Sequence, residues 1–114
     1  MEPKTAYKIL TAAEFADLQN GTFAGAPIDL IDGYIHLSTS TQLDDTLNKH
    51  FAGREDLVIA AIPLAPLGSG LRWEISRGGE LFPHYYGQLT IRHVSAHMPL
   101  QRDQKGNALL PDKL

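Results

Sequence analysis

The chain has 114 residues, 43% of them hydrophobic, a formal net charge of -3 and no cysteine. This length fits a single domain over residues 1–114 with a core of its own, and the lack of thiols excludes disulfides, cysteine nucleophiles and cysteine-based zinc or iron-sulfur sites. The acidic balance excludes a general nucleic-acid backbone binder, which carries a basic stripe; no apolar run is long enough to span a bilayer, so no membrane partner and a cytoplasmic location are expected.

In chain order, Ala6 to Leu10 reads as a short strand with Tyr7 and Ile9 on one face. It runs into Thr11-Ala12-Ala13-Glu14, a capping-box spacing, and the helix that follows turns Phe15 and Leu18 inward and stops at Asn20-Gly21. Gly21 to Pro27 is expected to be a loop. From Asp32 to Gln42 the pattern changes from strand period to helix start: Tyr34, His36 and Ser38 share one strand face, and Ile35 and Leu37 the other. Thr39 and Gln42 repeat the capping-box spacing, which would make Thr39 an N-cap and aim backbone donors from Ser38 to Thr41 at an anion. The second helix then carries Leu43, Leu47 and Phe51 at four-residue steps and ends at Gly53, with His50 assigned to its C-terminal dipole.

Leu57 to Ile62 is apolar on both faces, as in a covered central strand, and Pro63 and Pro66 end it. Leu71 to Ile75 alternates, which predicts Leu71, Trp73 and Ile75 toward the core with Arg72 and Glu74 outside. Arg77 to Glu80 is a turn. Leu81 to Gly87 reads as a loop bordering a ligand, because Pro83 lacks the donor a ladder interior needs. Gln88 to Val94 and Ser95 to Pro99 supply one or two last strands, with His93 and His97 on exposed or partly exposed faces, and residues 100–114 are a turn at Gly106-Asn107 and a short extension containing Pro111. The order predicts an α+β domain with two helices against a small, largely antiparallel sheet. Ile35, Leu37, Leu43, Leu47, Phe51, Val58, Ile62, Trp73 and Ile75 are expected to share one core. No dinucleotide, P-loop, nucleophile-elbow or zincin motif occurs.

The polar residues on these faces define the candidate site. His36, Glu74 and His84 are the catalytic candidates; Tyr34, Ser38, Thr39, Ser40, Arg72, Phe82 and Tyr86 are the ligand-binding ones. No metal is assigned: His36, Glu74 and His84 could ligate one, but their spacing carries no metal-site signature. A His36–Ser38 nucleophile lacks both an elbow and an orienting acid. A phosphorylated ligand suits the set better, with donors from the helix start, His36 and Arg72, and with Glu74 or Glu80 to orient a ribose hydroxyl or balance a cationic transition state. His36, Ser38, Arg72, Glu74 and His84 are expected to line a single cleft.

The stretches Gly33 to Thr39, Arg72-Trp73-Glu74 and Leu81 to Gly87 resemble the signatures of the bacterial and plant domain-of-unknown-function 952 family, and the likeness covers nearly the whole chain. It implies a small version of the ADP-ribosyltransferase fold, an ADP-ribosylation-like architecture. Ile35-His36-Leu37-Ser38 ahead of a helix also resembles the tRNA 2′-phosphotransferases, which use NAD, and Ser38-Thr39-Ser40 is similar to the Ser-Thr-Ser motif of many ADP-ribosyltransferases. Where those transferases carry Arg or His on the first strand this chain has Lys8, the late carboxylate is Glu80 in a loop, and the phosphotransferase arginine set is not evident. Three functions fit: ADP-ribosyl or phosphoribosyl-type transfer from NAD or a similar ligand, which stands first; a non-catalytic nucleotide-binding module; and a metal-dependent small-molecule enzyme. The expected partner is a small phosphorylated or nucleotide-like ligand, with NAD the candidate cofactor and the oligomeric state open.

Overall fold

The computed structural model describes residues 3–105, 108 and 109. In chain order its elements are β1 (Thr5–Thr11), α1 (Ala12–Asn20), α2 (Pro27–Asp32), β2 (Ile35–His36), α3 (Leu43–His50), β3 (Leu57–Pro63), β4 (Leu71–Ile75), β5 (Leu81–Tyr85), β6 (Ala96–Pro99), β7 (Gln101–Arg102) and β8 (Ala108–Leu109). Short 3₁₀ turns lie at Ala65–Gly70, Arg77–Gly79 and Ile91–His93. The protein is α+β, with small antiparallel sheets.

The doubly apolar stretch takes the central position its pattern requires. β3 lies between β1 and β6, antiparallel to both, and its alternate residues feed two cores. Ala60 and Ile62 join Ala6, Leu10, Phe15, Leu18, Ile35 and Leu37 on one face, while Leu57 and Ile59 join Ile9, Leu43 and Leu47 on the other, under α3. The single core expected from sequence is therefore two, because one strand with two apolar faces must be covered twice. Thr11 and Glu14 form the reciprocal cap of α1, with Glu14 N–H to Thr11 Oγ1 at 3.1 Å and Thr11 N–H to Glu14 Oε1 at 2.8 Å. Gly21, at φ 78°, closes that helix in the left-handed conformation open to glycine.

A second sheet has β5 between β2 and β4. Among the described residues an antiparallel bridge links it to the first: Tyr7 N–H donates to Ser38 O at 2.8 Å, and Ser38 N–H to Tyr7 O at 2.9 Å.

Five expectations change. α2 occupies Pro27–Asp32, where no helix was foreseen, so three α-helices are described instead of two; Pro27 opens it, as proline does well at a first helical turn, and Asp29 is its buried residue. Leu81–Tyr85 is the middle strand of its sheet and not a loop, because Pro83 falls where β2 has already ended and its carbonyl still accepts from Leu37 N–H at 3.1 Å. On β4 only Leu71 packs on the core as expected, with Arg72 exposed: Trp73 is 38% exposed and Ile75 73%, while Glu74 meets His84 on β5. The helix expected from Thr39 begins only at Leu43. The Gln42 side chain does accept from Thr39 N–H, but it also donates to Leu81 O at 2.8 Å, and Thr39 Oγ1 turns to Thr41, so residues 39–42 form a tight turn instead of a cap. Gln88 to Val94 is no strand: Thr90 and His93 close a 3₁₀ turn, with Thr90 N–H donating to His93 Nδ1 at 3.0 Å. At the C-terminus β7 pairs antiparallel with β8; the turn expected at Gly106-Asn107 and the extension with Pro111 lie outside the described residues.

Candidate functional site

Lys8 sits on the β1 face shared by Ala6 and Leu10, both fully buried, and is itself buried. A lysine there needs acceptors, since burying an ammonium without them costs several kcal/mol. It has three: Asp29 Oδ2 at 2.9 Å, Asp29 Oδ1 at 3.1 Å and the His36 carbonyl at 3.0 Å. Asp29 reaches this point because α2 turns it inward, and its carboxylate also accepts the backbone N–H groups of Ala26 at 2.8 Å and His36 at 3.0 Å. Burial works to raise the Asp29 pKa, but His36 and Lys8 together outweigh it and hold the group at about 2. Burial lowers the Lys8 pKa, with Asp29 opposing.

His36 is the third member of this cluster. Its Nδ1 lies 2.7 Å from Asp29 Oδ1 and its Nε2 3.0 Å from Asp32 Oδ2. Ionised carboxylates only accept, so both contacts are hydrogen bonds when both ring nitrogens carry a proton.

His84 is held differently. It is 2% exposed, and its Nδ1 lies 2.8 Å from Glu74 Oε1, across the β4–β5 pair. The Tyr86 hydroxyl donates to the same oxygen at 2.7 Å. Tyr86 and then His84 pull the Glu74 pKa below its ordinary value, and Glu74 pushes that of Tyr86 up. Among the described residues, no wholly buried side-chain nitrogen or oxygen lacks a hydrogen-bond partner. His84 Nε2 has no protein partner there, and the residue lines a cavity.

Tyr34 joins the two clusters. Its ring centroid is 4.1 Å from His84, 4.5 Å from His36 and 5.2 Å from Tyr86, while the two histidine rings are 5.5 Å apart. Burial, followed by Asp32 and Glu74, raises the Tyr34 pKa. The Arg72 guanidinium lies over the Tyr86 ring at 5.0 Å. Beside this cluster a cavity of about 430 Å³ runs between β1 and α3, lined by His36, Ser38, Phe82 and His84 at one end and by Ile9 and Phe51 among others.

Of the ten residues singled out from sequence, Tyr34, His36, Arg72, Glu74, His84 and Tyr86 are joined in one network of ring contacts and hydrogen bonds, and Ser38 and Phe82 line the adjoining cavity. Ser38 Oγ is paired with Thr46 Oγ1 at 3.1 Å. Thr39 and Ser40 stand apart, one buried within the 39–42 turn and the other exposed on it. α3 starts at Leu43, so the helix start lies beyond the Ser38 to Thr41 donors expected to form it. Glu80 is exposed in the turn before β5; the carboxylate at the site is Glu74. Sequence inspection missed Lys8, Asp29 and Asp32, although a lysine flanked at i±2 by apolar residues of a buried strand face was a legible signal.

The fold and the cluster define a small α+β protein with two carboxylate-held histidines set against a cavity. The chain belongs to the family described as protein of unknown function DUF952, which matches residues 9–97. It is similar to CC0527 from Caulobacter crescentus, whose crystal structure is 40% identical, covers 92% of this chain and 93% of that one, and superposes with a TM-score of 0.86. The solution NMR structure of CC0527 is 41% identical over 97% of both chains, with a TM-score of 0.84. No curated protein matches the chain. No helix among the described residues is long and apolar enough to cross a membrane.

Proposed function

We propose that the cleft around His36 and His84 binds a nucleotide-like ligand of the NAD or ADP-ribose class and transfers its ADP-ribosyl or phosphoribosyl-type group. The observation that carries this is the packing of four rings, Tyr34, His36, His84 and Tyr86, against the carboxylates of Asp29, Asp32 and Glu74 beside an open cavity. A planar cation such as the nicotinamide ring stacks on tyrosine, and the flanking carboxylates stabilise positive charge growing at C1′ of the ribose. The C1′–N bond breaks with its electron pair leaving on nicotinamide, an acceptor oxygen bonds to C1′, and the acceptor's proton passes to a site base. Arg72, already over Tyr86, is the cation for the diphosphate. We also take the architecture to be ADP-ribosylation-like; the division into two small sheets meeting beside the cleft supports this.

A second function, a nucleotide-binding module without turnover, is favoured by the state of the first strand: Lys8 already has three acceptors and offers no donor to a phosphate. A metal-dependent enzyme has less support, since no group of three His, Asp or Glu among the described residues is arranged to hold an ion. The test is a ligand-observed titration of wild type and His36→Ala with NAD, ADP-ribose and phosphorylated nucleosides, in metal-free buffer and then with zinc or magnesium. Binding of NAD lost in the variant, together with nicotinamide release by wild type, is the expected outcome. Binding without release selects the module, metal-dependent binding the third class, and no binding removes the nucleotide from all of them.

A further inference from the structure

The two site histidines are held in ways that give them different chemistry. His36 has a carboxylate on each ring nitrogen. When both contacts are hydrogen bonds, neither ring nitrogen offers a lone pair to a substrate. His84 has a carboxylate on Nδ1 alone. Because a carboxylate accepts, Nδ1 carries the proton, and a neutral ring then has its lone pair on Nε2, the nitrogen without a protein partner among the described residues. The ring lines the cavity between β1 and α3. A buried histidine on a cavity wall, oriented by a carboxylate and with its other nitrogen unpartnered among the described residues, has the makings of a general base.

The cavity also limits what that base can meet. Ile9, Leu37, Phe51 and Phe82 give it apolar walls. Of the lysine and arginine side chains on its lining, Lys8 is paired with Asp29, and Arg54 with Asp56 through Nε to Oδ1 at 3.1 Å and a second bond to Oδ2 at 3.0 Å. An anionic acceptor finds neither of these cations free.

We propose that this cavity is the subsite for a neutral, hydroxyl-bearing acceptor with an apolar body, and that the Glu74–His84 dyad deprotonates it. This rests on the transferase reading of the cleft. The acceptor O–H proton moves to His84 Nε2 as the oxygen forms its bond to C1′, and the C1′–N bond breaks with its pair on the leaving nicotinamide. His84 becomes an imidazolium hydrogen-bonded to Glu74. Glu74 is a positioning residue that fixes the tautomer, and His84 is the catalytic residue.

The tautomer can be read without any ligand, by long-range ¹H–¹⁵N correlation of the histidine rings in the full chain. His84 is expected to show a protonated Nδ1 and a bare Nε2, and His36 two protonated nitrogens. In Glu74→Gln, whose amide can donate to Nδ1, the His84 proton moves to Nε2. Turnover of NAD, with nicotinamide release as readout, falls about 10²–10⁴-fold in kcat with KM nearly unchanged. Benzyl alcohol and benzoate, matched in ring but not in charge, probe the subsite: the alcohol shifts the amides of Ile9, Phe51 and Phe82 at lower concentration than the carboxylate does. A protonated Nε2 in wild type, or tighter binding of benzoate, overturns the proposal. The expected tautomer and alcohol preference in a protein that does not bind NAD would uphold the base and its subsite while removing the nucleotide from the cleft.

Discussion

The region around His36 and the region around His84 contain the same pair of residue types, a histidine and a carboxylate, and use them for opposite purposes. At His36 every polar group is saturated: one buried ammonium, two carboxylates, two backbone N–H groups and a backbone carbonyl close on one another across β1, α2 and β2. Among the described residues the His84 network stops one bond short, at Nε2. The difference teaches that the first cluster is structural support, and that a polar atom is left available to a ligand only at the second.

Breaking the support gives the largest effect. Lys8→Ala leaves the buried Asp29 carboxylate without its cation, and the expected loss is about 3–5 kcal/mol in urea denaturation. Glu74→Gln, on the half-exposed side of the other cluster, is expected to leave the denaturation midpoint close to wild type while abolishing most turnover. Equal destabilisation by the two would erase the distinction.

Acid sharpens the same contrast. Asp29 is held at about 2, against an ordinary 3.8, so the ionised group contributes stability that is fully present above the ordinary value. That contribution is lost as pH falls from there through about 2 and is worth about 2 kcal/mol. Stability measured against pH should drop in this window for wild type and lose that part of the drop in Asp29→Asn.

The smallest change is at Tyr86. Tyr86→Phe removes the hydroxyl that is the main cause of the lowered Glu74 pKa. The carboxylate should then titrate closer to its ordinary pH by NMR, without movement of the His84 tautomer and with the fold unaffected. A switch of the ring proton would mean that Tyr86, and not Glu74 alone, orients the base.

How much of this could be seen in the sequence follows from how local each signal is. β1, α1 with its Thr11–Glu14 cap, and β3 declare themselves within a few residues, and all are present. The Tyr34 to Ser38 stretch and the segment around His84 stood out as candidates because histidine and tyrosine cluster there, and the structure joins their side chains in one network. α2 was not: it is six residues long, its Ile28, Leu30 and Ile31 point to solvent, and the residue it buries is an aspartate, the reverse of an amphipathic pattern. Lys8 and Asp29 become intelligible only as a pair, 21 positions apart. On β4 the inward face holds at Leu71 and fails at Trp73 and Ile75, because at the sheet edge the chain is also set by the partner that Glu74 finds on β5.

The bridge between Tyr7 and Ser38 has a mechanical meaning. Among the described residues two backbone hydrogen bonds continue one sheet into the other, and the cavity straddles that seam, with Tyr7, Ile9 and Thr11 on one plate and His36, Phe82 and His84 on the other. A molecule lodged there touches both plates at once and behaves as a rivet: it stiffens the joint at its thinnest point, and its occupancy raises the temperature at which the plates part in proportion to the logarithm of its concentration.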